Sequence, residues 1–248
     1  MAMANDTKKG LNTNSNTYTI IYSAIMVIIV AFLLAFVYQM LKERQDANVA
    51  LDKKKQILYA LNIRGLVDSE AAAKYKEVVL SDVILNDDGQ VTPNDHEGAE
   101  NNGFLLNSAD YKNGDLVVYF CKVNGEDKYV VPVYGMGLWG PINGYVALNA
   151  DGNTVYGAYF NHEGETAGLG AEIKDSREWQ ERFQGKKVYA EGGDDVALSV
   201  EKNVANPASE VDAVTGATLT SNGVRDMLKE GFAKYAVFFK SLQNNGEQ

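Results

Sequence analysis

The chain has 248 residues, with 23 Lys and Arg against 33 Asp and Glu, a formal net charge of −10. That length fits one soluble domain or two small ones, and the acidity argues against a nucleic-acid binder, which needs a basic face to replace counterions on phosphates. One cysteine, Cys121, and two histidines, His96 and His162, exclude a disulfide framework, a cysteine-based zinc site and an iron–sulfur cluster held by this chain alone.

Residues 1–16 read as a polar tail. From Thr17 to Leu41 the sequence is TYTIIYSAIMVIIVAFLLAFVYQML, with no charged residue. A bilayer core about 30 Å thick needs roughly 20 apolar residues in helical form, and 17–41 meets that requirement. Tyr18, Tyr22 and Tyr38 lie near its ends, where amphipathic rings favour the headgroup region. A cleaved signal peptide is the competing reading. Its apolar core would be only ~7–15 residues, with a small-x-small cleavage site after it, and no such site follows here. The expectation is one uncleaved transmembrane helix.

Lys8 and Lys9 precede this span, while Lys42, Arg44, Lys53, Lys54 and Lys55 follow it. By the positive-inside rule alone, that count places the large domain in the cytoplasm. Residues 1–41 hold two lysines and one acidic residue. Residues 42–248 therefore hold 21 basic and 32 acidic residues, a net of −11. Such a domain should not lie flat on anionic lipid.

Residues 42–65 read as a helical stalk, with Gly65 as its C-terminal breaker. Residues 66–248 then read as one domain. A short helix is expected over 69–77 with Ser69 as its cap, and a strand over 78–85. Asn86-Asp87-Asp88-Gly89 has strong turn chemistry, and 90–103 reads as a polar loop in which His96 is a solvated residue. Strands at 116–121 and 128–133 flank Asn124-Gly125, and strands at 145–148 and 154–160 flank Asp151-Gly152, both at hairpin spacing. Cys121 in its apolar strand reads as a small buried hydrophobe. A helix over 176–183 and strands near 187–189 and 196–200 follow. The last helix is expected after Thr220, to about Leu242, because Val224, Leu228, Phe232, Tyr235 and Phe239 form one apolar stripe. The fold class is α+β, with a largely antiparallel sheet and a C-terminal helix behind a single membrane span.

Residues 212–218, Asp-Ala-Val-Thr-Gly-Ala-Thr, lead straight into that last helix. Unsatisfied N–H groups at a helix start favour a phosphate. Thr220 or Ser221 acting as a simple cap fits the same residues. No phosphate-binding loop of nucleotide triphosphatases and no dinucleotide fingerprint occurs anywhere in the chain.

Asp212-x-x-Thr215-Gly216-Ala217-Thr218 resembles the flavinylation motif Asp-x-x-Ser/Thr-Gly-Ala-Thr of a family of FMN-binding domains. In that family a transferase links FMN phosphate to the final threonine. His162-Glu163-Gly164-Glu165-Thr166-Ala167-Gly168-Leu169-Gly170 resembles the domain's His-x-Glu-Thr-Pro-Gly-Leu-Gly segment, with one inserted residue and Ala167 in place of proline. The segment 137–145 resembles the glycine-rich turn preceding it. The whole plan resembles the C subunits of sodium-translocating NADH:quinone oxidoreductases. The G subunits of ferredoxin:NAD oxidoreductase complexes share that plan and are the alternative, beside a membrane-anchored binding or assembly module without redox activity.

The resemblance implies covalent FMN on Thr218, with Thr220 as the alternative hydroxyl. It implies further flavin-binding residues: Asp212, Thr215, Gly216, Ala217, Leu219 and Thr220 in one segment, and Trp139, Gly140, Glu165, Thr166, Gly168, Leu169 and Gly170 in the others. Trp139 reads equally as a loop or core anchor, and His162 reads as a structural hydrogen-bond partner. No catalytic acid or base and no metal ligand is implied. An electron carrier needs a redox group held and tuned by its surroundings. The implied function is a single-electron relay between an iron–sulfur centre and a second flavin on partner subunits, after maturation by a flavin transferase. NADH and quinone would bind other subunits, so this chain is not catalytic alone. The family places the domain on the periplasmic side of a bacterial inner membrane, against the lysine and arginine count.

Overall fold

The computed structural model describes residues 13–86, 89–91, 98–191, 193 and 195–245. His96, Asp87 and Asp88 lie outside the described residues. The chain divides into two compact units, Met1–Ala50 and Leu51–Gln248.

In the first unit, helix α1 (Asn16–Ala60) opens where the Tyr18 N–H donates to Ser15 Oγ at 3.1 Å. Ser15 is thus a helix cap of the ordinary kind. Ile20, Val27, Ile28, Phe32 and Leu34 are exposed to more than 60%. The helix is long and apolar enough to cross a membrane. In water such a surface would be untenable, whereas in lipid it needs no protein cover.

In the second unit, the last residues of α1 bury Ile57, Leu58 and Ala60. The helix stops at Asn62, whose φ of +61° is left-handed, with the Ile63 N–H returning to the Leu58 carbonyl. Gly65, the expected breaker, lies in the bend beyond. Asparagine can end the helix because it tolerates this conformation, and its Nδ2 donates to the Tyr156 carbonyl at 2.8 Å. Helix α2 (Asp68–Val78) also departs from expectation. Ser69 lies within its first turn, and the cap position is Val67, which makes no side-chain cap bond. Acidic Asp68 and Glu70 favour that helix start, and Asp68 pairs with Lys55.

Strand β1 (Val79–Leu85) follows, then the short helices α3 (Asn102–Leu105) and α4 (Ser108–Asn113). Strands β2 (Leu116–Val123), β3 (Glu126–Met136), β4 (Pro141–Asn149) and β5 (Val155–His162) complete a sheet of order β1-β2-β3-β4-β5, every pair antiparallel. The β2–β3 turn has positive φ at both Asn124 and Gly125, as a two-residue hairpin of this twist requires. Strands β2 to β5 exceed their expected lengths, β1 starts one residue later than expected, and β4 takes in residues 141–144, read from sequence as part of a turn. Pro141 is tolerated because it is the strand's first residue.

After the sheet come α5 (Glu172–Asp175), α6 (Arg177–Glu181), β6 (Ser199–Glu201), β7 (Glu210–Asp212) and α7 (Thr218–Asn245). Strands β6 and β7 pair in parallel. The segment at 187–189 forms only isolated bridges, Thr154 with Lys187 and Tyr189 with Val196.

Both sheet faces are covered, which explains the near-continuous apolar runs in the strands. Val131, Val133, Ile142, Val146 and Phe160 pack in one core with Val224, Leu228, Phe232 and Tyr235 of α7. Val130, Tyr119 and Tyr145, whose side chains alternate to the opposite face, are buried outside that cluster, as are Ile57, Leu58 and Tyr75. Cys121 is 2% exposed, and burial pushes its thiol up, so it serves as a hydrophobe.

Lys53 supplies a pH-dependent element. Its Nζ donates to the carbonyls of Phe104 and Leu106 and lies 4.9 Å from the Phe104 ring centre. Burial pushes its ammonium down from 10.5 to about 8, with Asp82 and Asp110 opposing the shift. Above about pH 8 the unfolded chain binds more protons at this site than the folded chain, so stability rises with pH. Buried Tyr119, Tyr145 and Tyr235, whose hydroxyls are pushed up by burial, reverse the slope once free tyrosine ionises at about 10. Lys53→Met is expected to remove the rise between about pH 8 and 9.5, read as the urea midpoint of the full chain in detergent. An undiminished rise would assign it elsewhere.

Candidate functional site

Three segments of the second unit converge at the start of α7. The first is the turn between β3 and β4, closed by the Gly137 N–H donating to the Gly140 carbonyl at 2.8 Å. The second is the loop after β5, residues 162–171. The third is the loop 212–217, which runs from β7 into α7.

Glu165 lies where they meet and is 8% exposed. Its Oε1 accepts from the Trp139 N–H at 2.9 Å, and its Oε2 accepts from the Thr220 hydroxyl at 2.6 Å. Its own N–H donates to His162 Nδ1 at 3.2 Å, which puts the proton of a neutral imidazole on Nε2. His162 is thereby a structural partner. The Thr166 carbonyl accepts from the N–H groups of Leu169 and Ala171, and Gly168 has φ of +72°.

The third segment is folded as tightly. The Ala217 N–H donates to the Val214 carbonyl at 3.1 Å, and the Ser221 N–H to the Ala217 carbonyl at 2.9 Å. The Val214 N–H donates to Ser221 Oγ at 3.0 Å. Gly216, at φ of +77°, makes the bend possible. Helix α7 consequently begins at Thr218, earlier than the sequence pattern indicates. Neither Thr220 nor Ser221 is a conventional cap. Both lie inside the helix, and their hydroxyls tie it to Glu165 and Val214.

The two candidate hydroxyls are separated by burial. Thr220 is 1% exposed and engaged with Glu165, whereas Thr218 is exposed at the first position of α7. There the initial N–H groups lack intrahelical acceptors and carry partial positive charge. Thr215 is also exposed. Beside its pairing with Glu201, Asp212 contacts α6 and the residue after it: its carbonyl accepts from Trp179 Nε1 at 2.7 Å, and its carboxylate lies 3.8 Å from Arg182.

The converging segments expose several apolar side chains. Trp139 is 67% exposed, Met136 62% and Leu219 59%, with Leu138 and Leu169 nearly half exposed. Trp139 is therefore no core anchor. A Cβ added at Gly140 or Gly168 would meet nothing within 4 Å, and one at Gly216 would come 3.0 Å from Leu169. An exposed apolar surface, open room beside glycines and a helix start with an exposed hydroxyl fit a flat aromatic ring system bearing a phosphate. Sequence reasoning missed the part of Met136 and of Gly223, whose Cβ would lie 2.2 Å from the Met136 carbonyl oxygen. A glycine inside a helix pattern was the available signal.

The FMN-binding domain family matches residues 137–233, the stretch that contains all three segments. The C subunit of the Na(+)-translocating NADH-quinone reductase of Vibrio vulnificus is 36% identical over 202 residues, covering 75% of this chain and 78% of its own length. Its counterpart in Haemophilus ducreyi is 32% identical over 250 aligned residues, covering 93% and 96%. Among solved structures, the same component of the Parabacteroides distasonis reductase superposes with a TM-score of 0.72 at 34% identity, covering 80% of this chain and 96% of its own. NqrC of Shewanella oneidensis gives a TM-score of 0.66 at 26% identity, covering 80% and 99%.

Proposed function

The chain belongs to the family of C subunits of the Na(+)-translocating NADH-quinone reductase, and on that premise we propose that it carries FMN covalently on Thr218 and relays single electrons within that membrane complex. The observation that carries this reading is the contrast at the α7 start. Thr218 is exposed at the first helical position, next in sequence to exposed Leu219, while Thr220 is buried and bonded to Glu165.

FMN, once bound, supplies a redox group that gains and loses single electrons. The chain's own residues hold and shield it. The α7 start would hold the phosphate, Trp139, Leu169 and Leu219 would pack on the ring, and Gly140 and Gly168, where a Cβ would meet nothing within 4 Å, would leave room for it. Thr218 Oγ forms the attachment by bonding to the flavin-side phosphorus of a donor flavin nucleotide. The bond that breaks joins that phosphorus to the donor's own leaving group, and the hydroxyl proton passes to a base on the flavin transferase. FMN itself is a poor donor here, since its phosphorus carries no leaving group better than hydroxide.

Helix α1 anchors the chain in the membrane, and family membership supports a periplasmic position for the domain in the bacterial inner membrane. The partners are the other subunits of the complex, including iron–sulfur and second-flavin carriers. The test is co-expression of the full chain with a flavin transferase, followed by purification and chemical reduction. A yellow protein that bleaches on reduction and reoxidises supports the relay. A colourless protein removes it.

Trp139→Ala probes the cradle separately. Because Trp139 is mostly exposed, its loss should change unfolding free energy by less than about 1 kcal/mol. It should also shift the visible absorption and raise the fluorescence of the bound flavin, because a stacked aromatic neighbour is removed. Unchanged flavin spectra would place the ring away from Trp139.

A further inference from the structure

We infer that Glu165 is a positioning residue for modification of Thr218, acting through Thr220 and the Trp139 turn rather than by contact with the flavin. This rests on the reading of Thr218 as the acceptor.

Both carboxylate oxygens are already committed, one to the Trp139 N–H and one to the Thr220 hydroxyl, and the side chain is 8% exposed. Little of it is left for a ligand. Two glycines are fitted to this carboxylate. A Cβ at Gly137 would lie 2.4 Å from Oε1, and a Cβ at Gly170 would lie 2.4 Å from Oε2 and 2.6 Å from Thr220 Oγ. The positions that contact the carboxylate on either side are therefore kept free of side chains.

The consequence for Thr218 follows from helix geometry. At 3.6 residues per turn, each residue is rotated by about 100°, so Thr218 points about 200° away from Thr220. Seating Thr220 inward on Glu165 fixes the rotation of the first turn and turns Thr218 outward, beside the initial N–H groups of α7. The same carboxylate fixes the turn that presents Trp139. Glu165 thus sets the acceptor hydroxyl and the apolar surface in one arrangement before any flavin arrives. Displacements on the order of 1 Å at a reacting centre are enough to slow group transfer severely.

The test uses the full chain in detergent, expressed without a transferase, then supplied with purified transferase and its flavin donor. The readout is the initial rate of covalent flavin incorporation, followed by in-gel fluorescence. Thr220→Val and Glu165→Ala are each expected to slow incorporation by about tenfold or more. Thr220→Ser, which keeps the hydroxyl, should stay within about twofold. The double variant should be no slower than the slower single variant, because both remove one linkage. Iodide quenching reads Trp139 in the unmodified chain, since the other tryptophan, Trp179, is 4% exposed. Quenching should rise in Glu165→Ala and change little in Thr220→Val. Folded variants, judged by unchanged circular dichroism, that are modified at the wild-type rate overturn the inference and leave the Thr218 reading intact. If Glu165→Ala fails to fold, the contrast between valine and serine at position 220 decides alone. A wild-type chain that takes up no covalent flavin overturns the Thr218 reading itself.

Discussion

Thr218→Ala should yield a folded chain without covalent flavin. The side chain is exposed, so its truncation is expected to change stability by no more than about 0.5 kcal/mol. The loss of attachment should nevertheless be complete, because no neighbouring hydroxyl can replace it. Ser221 accepts from the Val214 N–H, and Thr220 donates to Glu165 from a position that is 1% exposed. Thr215 is exposed but lies before the bend at Gly216, outside helix α7. In-gel fluorescence after denaturation should show a band in the wild type and none in Thr218→Ala. A residual band of comparable strength would mean that a second hydroxyl accepts the phosphate.

Gly223→Ala should damage fold and site together. Alanine is the better helix former by about 1 kcal/mol. Here, however, its Cβ would sit 2.2 Å from the Met136 carbonyl oxygen and 3.3 Å from Gly137 Cα. Both are backbone, so neither can swing aside, and α7 must move off β3. Overpacking of this kind costs roughly 1–3 kcal/mol and sometimes more, so the clash outweighs the propensity gain. The displaced residues begin the turn that carries Trp139, and flavin incorporation should fall with stability. Lys229→Ala, on the exposed side of the same helix, should change stability by no more than about 0.5 kcal/mol. Chemical denaturation of the three chains tests the contrast. A Gly223→Ala chain as stable as the wild type would show that α7 can shift without cost.

Much of the fold is legible in the sequence because it is written in local signals. Asn124-Gly125 demands a two-residue hairpin, and the alternating and apolar runs on either side become β2 and β3. The stripe from Val224 to Phe239 becomes the buried face of α7. The failures are equally physical. The strand expected at 196–200 is realised as β6 only from Ser199 to Glu201, and its parallel partner β7, across residues 202–209, is three residues long, too short for a period to show. Ser69 has capping chemistry but is the second residue of the helix, whose cap position is Val67 and whose first turn carries acidic Asp68 and Glu70. Helix α7 starts ahead of its apolar stripe, where Gly216 and the two threonines have the composition of a loop. Hydrogen bonds to Val214 and Glu165 make that stretch the first turn.

The site divides the same way. The 212–218 motif and the 162–170 segment are contiguous and can be recognised residue by residue. What joins them cannot. The Glu165–Thr220 bond spans 55 residues, and the fit of Gly137 and Gly170 around one carboxylate exists only in three dimensions. The motif names the hydroxyl, and tertiary packing determines which of two nearby threonines is accessible.

The most direct measurement is peptide mass spectrometry of the flavin-bearing chain. Trypsin should release residues 203–225, between Lys202 and Arg225, a peptide that holds Thr215, Thr218, Thr220 and Ser221. This peptide is expected to carry one added FMN phosphoester, with the fragment ions placing it on Thr218. An unmodified peptide, with the flavin released on denaturation, or an adduct localised to Thr220, would contradict covalent attachment at Thr218.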